Sequence, residues 1–508
     1  SDILEKSLMP LVRLQVALCL TSFLTAFMGS SLNVALPFIA VDFSCSPENV
    51  AWMISAFTAA SSSFLLSASA LADRFGYLRI YITGALGSAI FSLAVALTTN
   101  FMLCIVMRIC QGVAMSLVFC TAVALISQRI SGPARAFAIA LNTASVYSGL
   151  SFSPVLAGII VDTLGWRTIF YFAAAGLIVS FLLCRTEPRD QPLTQRLPLV
   201  RMGLSFVIGL VTLISISGYT TEHFFVSTMC LGFVFVVGFL IGEYRAAQPL
   251  LPLKFILSNK VLLFALLASL FHYLSSFIYT LLLSMHLQLI WGYQAATTGL
   301  MLIVQPILMV VFSALSGKLA HRFGPQYLTI VGLSLCICGI MTLLPLEPKS
   351  SLTLIFVSQV LCGSGFGLFS APNTMIVMSS VERQHFAITS AVQALSRTVG
   401  QATSMAILTA LLHYAINAEV GTTLYVRELS ASIHQSFILS TGGYVFALVF
   451  CFFCMYNRIQ VLKARNAAEA EAKAKAEATA AAKAAANAKQ GSAAELHSKA
   501  KDHEPLQH

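Results

Sequence analysis

The chain has 508 residues, 57% of them hydrophobic and only 10% charged, with a mean hydropathy of +0.84. Soluble domains average about 25% charged residues, so this composition excludes a water-soluble globule and predicts a polytopic membrane protein. The net charge of +10 is spread over short polar breaks between apolar runs, where basic residues act as topology signals and not as a nucleic-acid surface.

A spanning helix needs about 20 mostly apolar residues. By that measure the chain has fourteen predicted spans. Six come first: 11–41, 50–72, 80–97, 101–128, 136–161 and 168–184. A pair follows at 202–218 and 224–241. The last six are 261–290, 295–316, 326–344, 351–379, 386–415 and 435–456. The polar N-terminus runs directly into the first span, and no cleavable signal is expected there. With that terminus inside, loop after loop on the inner side is basic: Arg74, Arg79, Arg129, Arg135, Arg185, Arg245, Lys254, Arg322 and Arg383 among others. The outer loops hold only Arg167, Lys349 and Arg427. This asymmetry predicts that both termini are cytoplasmic.

Leu71–Gly76 reads L-A-D-R-F-G, and Leu319–Gly324 reads L-A-H-R-F-G. Each copy closes an apolar run, so an internal repeat is predicted. Transporters are commonly built as two related halves with the ligand site between them. The repeat divides the chain into a six-helix bundle at 11–184, two inserted helices at 202–242, a second six-helix bundle at 260–456 and an Ala-rich cytoplasmic tail at 457–508. The tail has good helix formers but no apolar stripe. It reads as a solvated tail or a non-native extension. Twelve cysteines are present, nearly all in apolar runs. Bridges or metal sites stay open at Cys336/Cys338 and Cys451/Cys454, with apolar packing the simpler reading.

Several stretches carry a family resemblance. Asn33–Pro37 reads N-V-A-L-P and closes the first span; Ser69–Arg79 resembles the loop motif G-x-L-A-D-R-x-G-R-K-R, with Ser69 in place of its first glycine. Arg108–Gly112 matches R-x-x-Q-G, and Pro154 and Gly158 precede a W-R-x-I-F ending at Trp166–Phe170. With these motifs the chain resembles the major facilitator superfamily, in particular its fourteen-span drug:proton antiporter branch, over about Leu11–Tyr456. The resemblance implies an all-α membrane protein with two six-helix bundles plus two inserted transmembrane helices. It gives the loop motif the role of a conformational latch, carried here by Asp73, Arg74, Gly76 and Arg79, with Arg322 and Gly324 in the second copy. Asp73 is expected to pair with Arg74, Arg79 or a basic group of a neighbouring span, or to sit at a helix N-terminus. The second copy has His321 in the acidic slot, so its latch is expected to be weaker and pH-sensitive. Gly149, Pro154 and Gly158 are packing and gating candidates, since small residues admit close helices and proline bends a span.

Ionisable residues inside a membrane are costly and usually functional. Arg108, Arg397 and His272 lie deep within spans, while no carboxylate does. The branch usually places an acid five positions before the Asn of N-V-A-L-P; here that position is Met28. A cationic interior without a built-in counter-ion predicts an anionic or zwitterionic substrate with an apolar body. The alternative, arginines that only bond helix carbonyls or amides, stays open. The substrate-binding candidates are Asn33, Arg108, Gln111, Asn142, Tyr147, His272, Tyr279, Gln305, Asn373 and Arg397. For each polar one, interhelical hydrogen bonding is the simpler role. Pro306 and Pro372 free carbonyls beside Gln305 and Asn373. His272 is the proton-coupling candidate, because its ordinary pKa of about 6.5 lies near neutrality.

The sequence therefore predicts a monomeric secondary transporter of the bacterial inner or plasma membrane. It exports amphipathic small molecules by alternating access, using a proton or counter-substrate, with membrane lipids as its surroundings. No cofactor, metal, nucleic acid or enzymatic activity is expected. Two alternatives are an organic-anion or metabolite exchanger or uniporter, and a non-transporting lipid translocator or sensor on a transporter scaffold.

Overall fold

A computed structural model of the chain describes residues 2–45, 47–185, 197–216, 225–346, 351–415 and 422–501. In lipid every backbone polar group must be satisfied within the chain, and the apolar runs accordingly form helices. The first six are α1 (Asp2–Asp42), α2 (Pro47–Phe75), α3 (Tyr77–Leu97), α4 (Phe101–Arg129), α5 (Pro133–Leu164) and α6 (Arg167–Cys184). Then come α7 (Leu199–Ile216), α8 (Phe225–Arg245) and the short α9 (Leu253–Ser258). The remainder are α10 (Lys260–Met285), α11 (Ala295–Met301), α12 (Val304–Phe323), α13 (Pro325–Met341), α14 (Leu352–Ser379), α15 (Phe386–Ala415) and α16 (Thr423–Lys501). Each of the fourteen predicted spans falls on this series. The end of the seventh beyond Ile216 and the start of the eighth before Phe225 lie outside the described residues. Among the described residues, nine helices are long and apolar enough to cross a membrane, or ten with the bent α5.

The repeated hexapeptide makes the same turn twice. Gly76 (φ 92°, ψ 143°) separates α2 from α3, and Gly324 (φ 89°, ψ 139°) separates α12 from α13. A side chain is strained at such φ values. In both turns the glycine N–H closes the preceding helix, onto Ala72 O at 2.9 Å and Ala320 O at 3.0 Å. These turns and the α4–α5 and α14–α15 connections lie at one end of the molecule, here called the basic end for its Arg74, Arg129, Arg322 and Arg383. At the opposite end Asp42 receives Trp166 Nε1–H at 3.0 Å and pairs with Arg167. Burial pulls the Asp42 carboxyl up, but its bonds to Arg167 and Trp166 outweigh that and hold it below the usual range.

Within the first half α1 packs on α5 and α6, and α4 on α2 and α3; within the second, α14 packs on α12 and α13, and α10 on α15. Small residues set the tightest crossings. A Cβ at Gly149 would strike the carbonyl of Phe23 on α1, and one at Gly332 would lie 2.6 Å from Gly365 O. Helix α5 bends by 50° between its segments 133–153 and 155–164, at the proline that lacks an N–H for the helical ladder.

The inserted α7 packs on both α2 and α15, with Ser67 Oγ donating to Met202 O at 3.2 Å. Glu243, 3% exposed, fastens the end of α8: it accepts Arg201 at 2.9 Å and the Leu250 and Leu251 N–H groups at 2.6 and 3.0 Å. From there α9 reaches the α14–α15 connection, where Phe255 stacks on His385 at 4.2 Å.

The chain separates into two compact units, residues 1–454 and 455–508. The second is helical to Lys501 and carries exposed ion pairs one turn apart, Arg465–Glu469 and Lys475–Glu471. That is the behaviour expected of a solvated Ala-rich segment.

Candidate functional site at the seam between the halves

The two arginines that the sequence places deep within spans sit in different surroundings: Arg108 is buried and Arg397 half-buried. Arg108 is 1% exposed and enclosed by the first half. Its Nε donates to Met53 O at 3.0 Å and its NH1 to Gln111 Oε1 at 2.6 Å, while its guanidinium lies 4.3 Å from the Phe57 ring centroid. Gln111 in turn donates to Ser92 Oγ at 2.5 Å and to Met28 Sδ at 3.3 Å. Met28, where the family branch usually has an acid, thus ends a neutral relay from arginine through amide to thioether. Among the described residues no carboxylate touches Arg108. Backbone carbonyl, amide and aromatic faces hold it instead, and no part of that shell comes from the second half.

Arg397 lies in the seam. Its guanidinium sits 5.9 Å from the Phe119 ring of α4. Among the described residues it makes no ion pair with a carboxylate. Tyr147 is 5% exposed and donates to Ser370 Oγ at 2.6 Å; Tyr273 Oη lies 3.1 Å from the same oxygen. Phe366 stands edge-on to both rings, at 5.3 and 5.8 Å. Beside it, Gln393 donates to Thr374 Oγ1 at 2.7 Å. Of the predicted binding residues, Tyr147 and Arg397 are the two whose described side-chain contacts reach the opposite half.

The others serve within one half. Asn142 accepts Ser22 at 2.9 Å, and Tyr279 meets Ser358 at 2.7 Å. Gln305 accepts Thr280 at 3.2 Å and gives its N–H to Gln359. Asn373 donates to Ala265 O and Ser269. His272 is fully buried, caged by Tyr273, Phe366, Phe369 and Tyr444, and among the described residues neither ring nitrogen has a hydrogen-bond partner. The side chains of Asn33 and Pro154 lie outside the described residues.

Asp73 lies just before the N-terminus of α3, beside the Tyr77 hydroxyl, and its buried Oδ1 has no hydrogen-bond partner among the described residues. Arg74, Arg79 and Arg322 are exposed. Tyr77 donates to Arg383 O at 3.1 Å, which joins the first loop motif to the second half. Ser390 Oγ adds a bond to Phe119 O at 3.3 Å. Gly317, which heads the second copy, permits the α5–α12 contact: a Cβ there would lie 2.9 Å from Ala140 Cβ and 3.0 Å from Phe137 Cα. Gly149 packs α1 on α5, while Gly158 faces open space. The halves are therefore tied together at the basic end and at mid-depth. Ser370, Tyr273, Phe366 and Phe119 were not singled out by sequence; Ser370 is one of many hydroxyls on apolar helices, and nothing local marks it.

The sequence profile of the Major Facilitator Superfamily matches residues 18–405. The multidrug resistance protein Stp of Mycobacterium tuberculosis is 29% identical over 75% of this chain and 72% of its own. The riboflavin transporter RibZ of Clostridioides difficile is 25% identical over 73% and 81%. The tetracenomycin C resistance and export protein of Streptomyces glaucescens is 24% identical over 78% and 75%. Among solved structures, the human organic anion transporter MFSD10 superposes with a TM-score of 0.60 at 13% identity, covering 88% of this chain and 99% of that one. The proton:xylose symporter XylE gives 0.60 at 13%, covering 87% and 95%. At such identity these two show the fold alone.

Proposed function

Since this chain belongs to the Major Facilitator Superfamily, a family of multi-pass membrane transporters and not of enzymes, we propose that it exports amphipathic organic compounds by alternating access and prefers anionic or zwitterionic ones. The names of Stp and of the tetracenomycin C exporter support efflux of organic compounds. The charge preference rests on a single observation: Arg397 stands in the seam without a carboxylate partner among the described residues. A negative group about 4 Å away would gain about 4 kcal/mol at an effective dielectric of 20, before desolvation is subtracted. Arg108 is a structural cation in this reading, because its shell is closed within one half.

The distribution of arginine and lysine supports reading the basic end as cytoplasmic, with both termini proposed on that side. The division at 11–184, 202–242, 260–456 and 457–508 and the monomeric state are carried forward as part of the same proposal. Energy comes from a proton or a counter-substrate. His272 accepts a proton only when substrate or water reaches its aromatic cage. A second reading, a metabolite carrier, is favoured by the likeness to RibZ.

Purified protein in proteoliposomes tests this. Flux of a soluble anionic fluorophore is expected, faster than that of a cationic one of equal size. Absence of flux for every soluble compound would instead support a lipid translocator or sensor.

A further inference from the structure

We propose that Tyr147, Ser370 and Tyr273 form a hydroxyl bridge between the halves that a substrate with a hydrogen-bond acceptor displaces, making Ser370 and Tyr273 determinants of both substrate class and conformational balance. Tyr147 belongs to α5 of the first half, Ser370 to α14 and Tyr273 to α10 of the second. All three are at most 9% exposed. The Tyr147–Ser370 bond, at 2.6 Å, joins two side chains. The other two described ties, from Tyr77 and Ser390, end on backbone carbonyls nearer the basic end. Met309, Phe366, Val146 and Val310 pack around the bridge.

Such an apolar shell strengthens a hydrogen bond and makes a lone hydroxyl costly. Opening the basic end requires α5 to leave α12 and α14, so the Tyr147 hydroxyl must lose Ser370. A compound that offers an acceptor replaces the lost partner and removes that cost. A ligand shifts a conformational equilibrium only through such differential contacts. Arg397 faces the same seam from α15, against Phe119 of the first half, so a carboxylate or phenolate that enters the seam is drawn by its charge while accepting from Tyr147. The substrate class is therefore an aromatic or apolar body bearing an anionic hydrogen-bond acceptor. This step rests on the reading of the seam as the transport path; the bridge itself does not.

Pulsed electron resonance on the full chain tests both parts. Spin labels carried by unnatural amino acids replace Ser131 and Tyr327, exposed at the basic end of the first and second halves. Without added compound, Tyr147→Phe and Ser370→Ala are each expected to raise the long-distance population relative to the short one by about fivefold, as loss of one net hydrogen bond would. Ser370→Thr, which keeps the hydroxyl, is expected to match the parent. Unchanged distances in both Tyr147→Phe and Ser370→Ala, or a Ser370→Thr that behaves like Ser370→Ala, overturn the bridge. Carboxyfluorescein is expected to lengthen the distance in the parent and to act weakly on Tyr147→Phe. If the dye leaves the parent unmoved while the variants shift, the bridge stands and displacement by an anionic substrate is overturned.

Discussion

At the residue scale the decisive contrast is between two arginines that look alike in the sequence. Both lie within apolar spans, and among the described residues neither has a carboxylate partner. Arg108 is held by Met53 O, Gln111 and Phe57, so removing it leaves the buried Gln111 amide oxygen without its donor. Such an orphan costs about 1–3 kcal/mol. Arg108→Gln is therefore expected to lower the melting temperature and to reduce transport of anionic and cationic compounds alike. Arg397→Gln is expected to leave the melting temperature nearly unchanged while selectively slowing anionic compounds. Thermal melts and paired flux assays on the two variants check this. The sequence marked both residues, because charge in an apolar run is conspicuous. It did not separate them, because the separation depends on which half supplies each shell. Ser370 and Phe119 were invisible for the same reason: their role comes from the opposite half, hundreds of residues away in the case of Tyr147 and Ser370.

At the element scale, helix order, the glycine turns and the bend in α5 were legible, because apolar length, left-handed glycine and proline act locally. The paired turns at Gly76 and Gly324 follow directly from the repeated hexapeptide. Contacts across the seam were not legible, since small residues say only that something approaches closely. Gly317 illustrates this. The Cβ of Gly317→Val would press on Ala140 and Phe137 of α5, with two further methyls to place. The variant is expected to fold but to disfavour the state joined at the basic end, read as faster cysteine labelling of positions in that seam. The link from α9 to the α14–α15 connection should respond to pH. Burial against Phe255 lowers the pKa of His385, an effect that Glu382 only partly offsets. The folded state thus disfavours the charged ring. The contribution of this stack is complete above the ordinary histidine value of about 6.5 and is lost as pH falls through that value towards the lowered one. Phe255→Ala is expected to flatten the decline in melting temperature between about pH 7 and pH 5.

For the whole molecule, ties between the halves run from the basic end to mid-depth: Tyr77 to Arg383, Ser390 to Phe119, Gly317 beside Ala140, and Tyr147 to Ser370. The inserted α7 adds a brace by touching both α2 and α15. Transport by alternating access requires these ties to be exchanged for others, and a substrate drives the exchange only if it binds the two states unequally. A cation in the seam that has no carboxylate partner among the described residues gives a negatively charged compound that unequal hold. The most direct measurement is equilibrium binding of carboxyfluorescein and of a cationic rhodamine to the purified parent, Arg397→Gln and Arg108→Gln proteins. The expected result is that Arg397→Gln weakens the anionic dye about tenfold, a loss of about 1.4 kcal/mol, and leaves the cationic dye unchanged or tighter, whereas properly folded Arg108→Gln changes neither ratio. Equal weakening of both dyes by Arg397→Gln, or no change for either, would contradict the assignment of Arg397 as the group that selects the substrate.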